Sequence, residues 1–208
     1  MESQTRKKIL VTGAGGALAK KVINKLKTKY TIVAVDFRTE IDLGIPVISY
    51  KVDFNKRIFE DIFREHKFDG IIHLGRIGST ESDRFNRYNA NVIGTRKLLD
   101  LAKKYNVPRN LILSTYFVYG ASPYNPSLLD EKTPLKASEL TMDLVDSVEL
   151  ENLANIYLYK YPELNLTILR PCNVAGPGVR NTFSTLLSEK NAPVVMGFNP
   201  LMQYIHID

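Results

Sequence analysis

The sequence has a single cysteine, Cys172, among its 208 residues, so no disulfide can form within it. No apolar run approaches the length of a membrane span. The opening residues, Met1-Glu2-Ser3-Gln4-Thr5-Arg6-Lys7-Lys8, carry no apolar signal core. No internal repeat or low-complexity tract is present, and no metal-ligand cluster stands out. A cytoplasmic protein with no membrane partner and no metal is therefore expected. The chain has 28 Lys and Arg against 22 Asp and Glu, a net charge of +6, but no DNA- or RNA-binding motif accompanies it. The one dense basic cluster, Lys20, Lys21, Lys25, Lys27 and Lys29, reads as the solvated face of a helix, and no nucleic-acid partner is expected.

What is present is a stretch around which the rest is ordered: Ile9-Leu10-Val11-Thr12-Gly13-Ala14-Gly15-Gly16-Ala17-Leu18-Ala19. Branched apolar residues suited to a strand buried on both faces lead into a glycine turn, and a helix follows to about Lys29. Gly13, Gly15 and Gly16 permit a backbone path that a Cβ would obstruct. The free N–H groups and positive dipole end of the helix would face whatever lies over the glycines, which favours a phosphate there.

Further along, strands are expected at Thr31–Asp36, Pro46–Val52, Ile71–Leu74, Leu111–Thr115 and Leu164–Leu169. Helices are expected from Asn55, as cap, to about His66, from about Asp83 to Tyr105, and from Ser138 to about Tyr159. Gly120–Lys136 reads as a loop, Asn181–Lys190 as a short helix, and Pro193–Met196 and Gln203–Ile207 as short strands. With 44% hydrophobic and 24% charged residues the composition is ordinary for a globular chain. The alternation predicts an α/β fold, a doubly wound parallel sheet of the Rossmann type. Residues 1–170 form the dinucleotide-binding domain in this reading, and 171–208 the start of a smaller substrate lobe. Thr12, Asp36, Asp53, Leu74 and Thr115 all fall at carboxyl ends of strands, where such sheets collect their ligands.

Asp36 lies 20 residues beyond Gly16, the spacing of the carboxylate that accepts hydrogen bonds from an adenosine ribose. It would repel a 2′-phosphate, which argues for NAD over NADP; Arg38 is the residue that could reverse this. Asp53 could hold the adenine amino group or cap a helix.

With these segments laid out, the chain resembles the extended short-chain dehydrogenase/reductase superfamily, and within it the nucleotide-sugar epimerases and dehydratases. Thr12–Ala19 is similar to the family's TGxxGxxG turn, with Ala19 in place of the last glycine. Ile72-His73-Leu74-Gly75-Arg76 stands where the family has HLAA, Asn91-Val92-Ile93-Gly94-Thr95 resembles NVxGT, Val118-Tyr119-Gly120 matches VYG, and Arg170-Pro171-Cys172-Asn173 with Gly176-Pro177 resembles LRxxNxxGP. The resemblance implies NAD contacts from Gly13, Gly15, Gly16, Ala17, Leu18, Asp36, Phe37, Arg38, Asp53, Phe54, Leu74, Gly75, Arg76, Asn91 and Pro171. Arg76 would reach the pyrophosphate or stand as a solvated loop residue. Thr115 takes the catalytic Ser/Thr position, and Asn173 and Arg180 are substrate-contact candidates. His73 is expected to be structural and Cys172 a buried filler. His206 and Asp208 resemble an HxDD-like segment that supports the substrate lobe.

Two departures stand out. The family's chemistry uses a Tyr followed four residues later by a Lys on the helix after the VYG loop, one face at i and i+4. Here Ser138–Ile156 contains neither. Asp143, Asp146, Tyr119 or Tyr124 are the substitutes available. The chain also ends at Asp208, where family members continue, so it reads as a fragment. The expected function is an NAD-dependent nucleotide-sugar epimerase or dehydratase that transfers a hydride at a sugar carbon, with a homodimer left open. The alternatives are a non-catalytic dinucleotide-binding sensor or scaffold and, on Arg38 alone, an NADP-dependent reductase of small carbonyls.

Overall fold

Strand β1 (Lys8–Thr12) buries Leu10 and Val11 completely, on opposite faces of one sheet. β2 (Thr31–Asp36) repeats the division, with Val33 and Val35 on the face of Leu10 and Ile32 and Ala34 on that of Val11. Burial on both faces is why these runs are branched and apolar throughout. The computed structural model describes residues 6–37, 41, 47–78, 81, 83–191, 196–197 and 202–208.

Four further strands complete the sheet: β3 (Ile48–Lys51), β4 (Gly70–His73), β5 (Asn110–Leu113) and β6 (Leu166–Leu169). The order is β3-β2-β1-β4-β5-β6 and every pairing is parallel, so the chain direction across the sheet reverses between β1 and β4. The doubly wound fold expected from the alternation is the fold observed. Helix α1 (Ala17–Leu26) covers one face through Ala19 and Ile23. The other face carries α2 (Ile58–Glu65), α4 (Gly94–Lys104) and α6 (Val145–Lys160), whose Phe59, Ile62, Leu98, Leu99, Leu150 and Ala154 pack on Leu10, Val33, Ile71 and Ile112. Each Leu, Ile or Phe so buried contributes roughly 1.5–3 kcal/mol relative to exposure.

Several boundaries differ from the sequence reading. Helix α2 begins at Ile58, with Arg57 and not Asn55 at its cap position; the Asp53 carboxylate accepts from the Asn55 N–H at 2.9 Å and holds a turn there instead. The segment read as one helix from Asp83 is α3 (Arg84–Tyr88), a π turn (Asn89–Ile93) and α4 in succession. Asp83 caps it, accepting from the Asn86 N–H at 3.0 Å. The helix read from Ser138 is α5 (Ala137–Leu140), a 3₁₀ turn (Met142–Leu144) and α6. Helix α7 (Thr182–Ser188) is capped reciprocally by Asn181 and Ser184. β7 (Asn173–Ala175) pairs parallel with β8 (Tyr204–His206) in a separate two-stranded sheet. Of the expected strand Pro193–Met196 all but Met196 lies outside the described residues, as do Pro46 of the third strand and Arg38. Among the described residues no helix is long and apolar enough to cross a membrane, and no cluster of metal-ligating side chains is found.

Candidate functional site

The carboxyl edge of the sheet opens on the glycine turn after β1. Gly13 has φ +67°, and a Cβ there would stand 2.5 Å from the backbone N and Cα of Gly75, after β4. The turn therefore requires glycine twice over, for its left-handed backbone and for its contact with the neighbouring loop. The Gly16 N–H donates to Gly13 O at 3.0 Å and the Ala14 N–H to Val35 O at 3.2 Å, which ties the turn to the end of β2. At that end Asp36 accepts from the Gly15 N–H at 3.0 Å. Helix α1 has no acidic residue in its first turn, so nothing on the helix itself neutralises the positive end. A glycine turn without side chains in the way, an unneutralised helix start and a carboxylate at the end of β2 fit a dinucleotide diphosphate and its ribose.

Beside the turn lies a cleft of about 650 Å³ whose lining includes Phe37, Asp53, Phe54, Gly75, Ile77, Asn89, Ala90 and Ile93. Phe54 is buried, 4.9 Å from the Phe59 ring and edge-on to His73 at 5.7 Å. The cleft thus joins the ends of β2, β3 and β4 to the π turn. Of the candidates named from the sequence, Phe37, Asp53, Phe54 and Gly75 come together here. Ala17 and Leu18 are half-buried in the first turn of α1, and the Leu74 N–H donates to Thr12 O at 3.2 Å.

A chain of hydrogen bonds leads from this half to the next. The His73 ring lies between Thr12 Oγ1 at 2.6 Å and Thr95 Oγ1 at 2.9 Å. Thr95 donates its own proton to Asn91 O at 2.5 Å. It must therefore accept from His73 Nε2–H, and in the neutral ring that burial favours, Nδ1 accepts from Thr12. Burial pushes the His73 pKa down to about 4. Asn91, in the π turn, accepts from the Ile77 N–H at 2.8 Å and donates to Ile77 O at 2.9 Å and to Asp146 Oδ2 at 2.5 Å. It braces the β4 loop against α6.

The second half is dense in buried charge. Asp146 faces Arg87 at 3.3 Å, both almost fully buried. Glu151, fully buried, is held by Ser114 Oγ and by the Arg170 guanidinium, whose Nε lies 2.8 and 3.0 Å from its two oxygens. Arg170 also donates to the Tyr119 hydroxyl at 2.8 Å. Arg76 reaches across to donate to Ser147 Oγ on α6. It is thus no solvated loop residue; its Nε is buried without a hydrogen-bond partner. Asp143 and Ser147, four residues apart, both meet the β4–α3 side, Asp143 through Arg84 at 3.2 Å.

The proposed acid/base substitutes are differently employed. Asp146 and Tyr119 are tied into the arginine pairs, Tyr124 is exposed, and Asp143 is exposed beside Arg84. Thr115 follows β5 and accepts from the Phe117 N–H at 3.4 Å. Pro171 O accepts from the Tyr116 N–H at 3.1 Å. Asn173 is buried and donates to the Tyr116 hydroxyl at 2.9 Å and to Gln203 O at 3.2 Å, while Arg180 is exposed. Thr115, Asn173 and Arg180 do not line the cleft beside the turn. Glu151, Ser114, Arg87 and Ser147 were not singled out from the sequence; an arginine directly after a strand, at Arg170, facing an acidic residue on the preceding helix was the available signal.

The profile of the NAD dependent epimerase/dehydratase family matches residues 9–208. An uncharacterized protein of Mycobacterium tuberculosis is 24% identical over 163 residues, covering 75% of this chain and 42% of its own length. A UDP-glucose 4-epimerase of Caenorhabditis elegans is 30% identical over 135 residues, covering 54% of this chain and 39% of its own. The chain thus spans about half or less of these relatives. The UDP-glucose 4-epimerase of Thermus thermophilus, solved in complex with NAD, superposes with a TM-score of 0.81 at 20% identity, over 96% of this chain and 70% of that one. At that identity the likeness speaks for the fold.

Proposed function

The chain belongs to the NAD dependent epimerase/dehydratase family, and from that premise we propose that it binds NAD across the reversal between β1 and β4 and serves a nucleotide-sugar epimerase or dehydratase. The observation that carries the reading is the Asp36 carboxylate at the end of β2, fixed by the Gly15 N–H of the glycine turn. One nucleoside would rest over β2 and β3, with Asp36 on its ribose and Asp53, Phe37 and Phe54 about its base. The diphosphate would lie on Gly15, Gly16 and the start of α1, and the second nucleoside over β4 to β6. When bound, NAD supplies the hydride acceptor for oxidation at a sugar carbon.

Thr115, where β5 opens onto the site, orients the sugar hydroxyl. Residues 171–208, with the β7–β8 sheet, Asn173 and Arg180, begin the lobe that takes the nucleotide sugar. The second reading, a dinucleotide-binding sensor without turnover, draws on one observation: Ser138–Ile156, the stretch leading into and along α6, contains neither the Tyr nor the Lys that the resemblance asks for. Losing a positioned general acid/base removes about 10²–10⁴-fold of rate. Calorimetric titration with NAD and with NADP tests the binding; tight NADP with no NAD binding would overturn the role given to Asp36. Turnover assays with UDP- and dTDP-sugars separate the two readings, and turnover unchanged in Thr115→Ala would remove Thr115 from the reaction.

A further inference from the structure

The buried side chains around the start of α6 do not balance in charge. Arg76, Arg87 and Arg170 face Asp146 and Glu151. Arg87 takes Asp146 and Arg170 takes Glu151, the latter pair reaching 2.6 Å. Arg76 is left with a neutral hydroxyl, Ser147 Oγ, as its hydrogen-bond partner, and no carboxylate among the described residues lies within ion-pairing distance of it. A guanidinium has five N–H donors and stays charged in proteins. One of those donors here, Nε, is buried and unpaired. Burying such a group without a partner costs free energy that a bound ligand would return.

The position of Arg76 restricts that ligand. It follows Gly75, the residue against which Gly13 packs, so the diphosphate cradle lies on one side of it. Its side chain runs the other way, to α6, the helix whose Glu151 holds Ser114 at the end of β5. With Asp36 and Asp53 marking the ends of β2 and β3, the bridge from Arg76 to Ser147 spans the opposite half of the dinucleotide track. Helix α6 brings no cation of its own at that point: Ser147 stands there, with Asp143 in the turn before it.

We infer that Arg76 supplies, from the end of β4, the positive charge that α6 lacks, and that its remaining N–H groups hold the hydroxyls of the ribose on the nicotinamide side. Ser147 serves as the rest that fixes the guanidinium. The inference rests on the NAD reading above, and its test keeps the two apart.

Binding of NADH, ADP-ribose and ADP is measured by calorimetry on the purified chain, its Arg76→Met, Ser147→Ala and Arg76→Met/Ser147→Lys variants, each checked for folding by circular dichroism. ADP carries the adenosine half alone; ADP-ribose adds the second ribose. Arg76→Met is expected to weaken NADH and ADP-ribose about tenfold or more and to leave ADP unchanged, since a charged hydrogen bond is lost. The double variant, with the cation moved to the helix, is expected to regain most of that loss. Ser147→Ala, which keeps the charge and removes its rest, is expected to weaken the same two ligands by a few-fold, and it decides the matter if Arg76→Met does not fold. Equal loss of ADP, unchanged NADH binding, or a double variant no better than the single one would overturn the inference. Failure of the parent chain to bind both NADH and ADP would instead overturn the NAD reading itself, and this inference with it.

Discussion

The two halves of the carboxyl edge are built from different materials. Around β1, β2 and β3 the contacts come from backbone: the Gly13 turn against Gly75, the Gly15 N–H on Asp36, and the bare start of α1. Around β4, β5 and α6 they come from long charged side chains: Arg76 on Ser147, Arg87 on Asp146 and Arg170 on Glu151. A backbone cradle depends on a few glycines and tolerates little change. A side-chain cluster can keep its charges while moving them between elements. The first half accordingly rests on a short run of adjacent residues, and the second on contacts between residues far apart in the chain.

The sharpest way to break this contrast is Gly13→Val. The new side chain meets the Gly75 backbone at 2.5 Å in a left-handed conformation, so neither neighbour can yield by a side-chain rotation. Strain and overpacking together are expected to cost about 4–5 kcal/mol, read by urea unfolding; a loss below about 1 kcal/mol would mean that the two loops do not meet so closely. In the other half, Glu151→Ala leaves the largely buried Arg170 without its carboxylate and is expected to cost about 3 kcal/mol or more by the same measurement.

Acid tests the seam between the halves. The folded pKa of His73 is lowered by burial from 6.5 to about 4, so the unfolded chain takes up the proton first. Stability from this group is fully present above pH 6.5 and is lost as the pH falls towards 4, up to about 3 kcal/mol. Unfolding free energies across that window should decline in the parent chain and flatten in His73→Gln. Asp36→Asn should weaken NAD about tenfold in a calorimetric titration and narrow its preference over NADP, because one charged acceptor is removed. The smallest effect belongs to exposed Arg180, where Ala should change stability by no more than about 0.5 kcal/mol.

The sheet was legible because its signal is local. Ile9–Val11 and Thr31–Val35 are branched apolar runs bounded by glycine, threonine and aspartate, and Gly13, Gly16 and Asp36 carry their spacing in the sequence itself. The family resemblance rested on the same short stretches. The pairing of Arg76 with Ser147 spans 71 residues, and that of Glu151 with Ser114 spans 37. No periodicity encodes such contacts; they follow from which helix packs over which strand end. The start of α2 was misplaced for a related reason. Asn55 has the chemistry of a cap, but Asp53, two residues earlier, took the local hydrogen bond.

The π turn at Asn89–Ile93 carries one residue more than a regular helical path of the same length needs. The flanking segments are therefore phased apart from one another: Leu98, Leu99 and Leu101 of α4 sit in the core, while Asn91 in the turn faces Ile77 and Asp146. Deleting a single position inside the turn would smooth the helix without unseating those leucines, yet swing the Asn91 amide away from Ile77 and Asp146. A surplus residue thus works as a universal joint, aiming one amide at the strand loop while the hydrophobic bearing beside it stays seated.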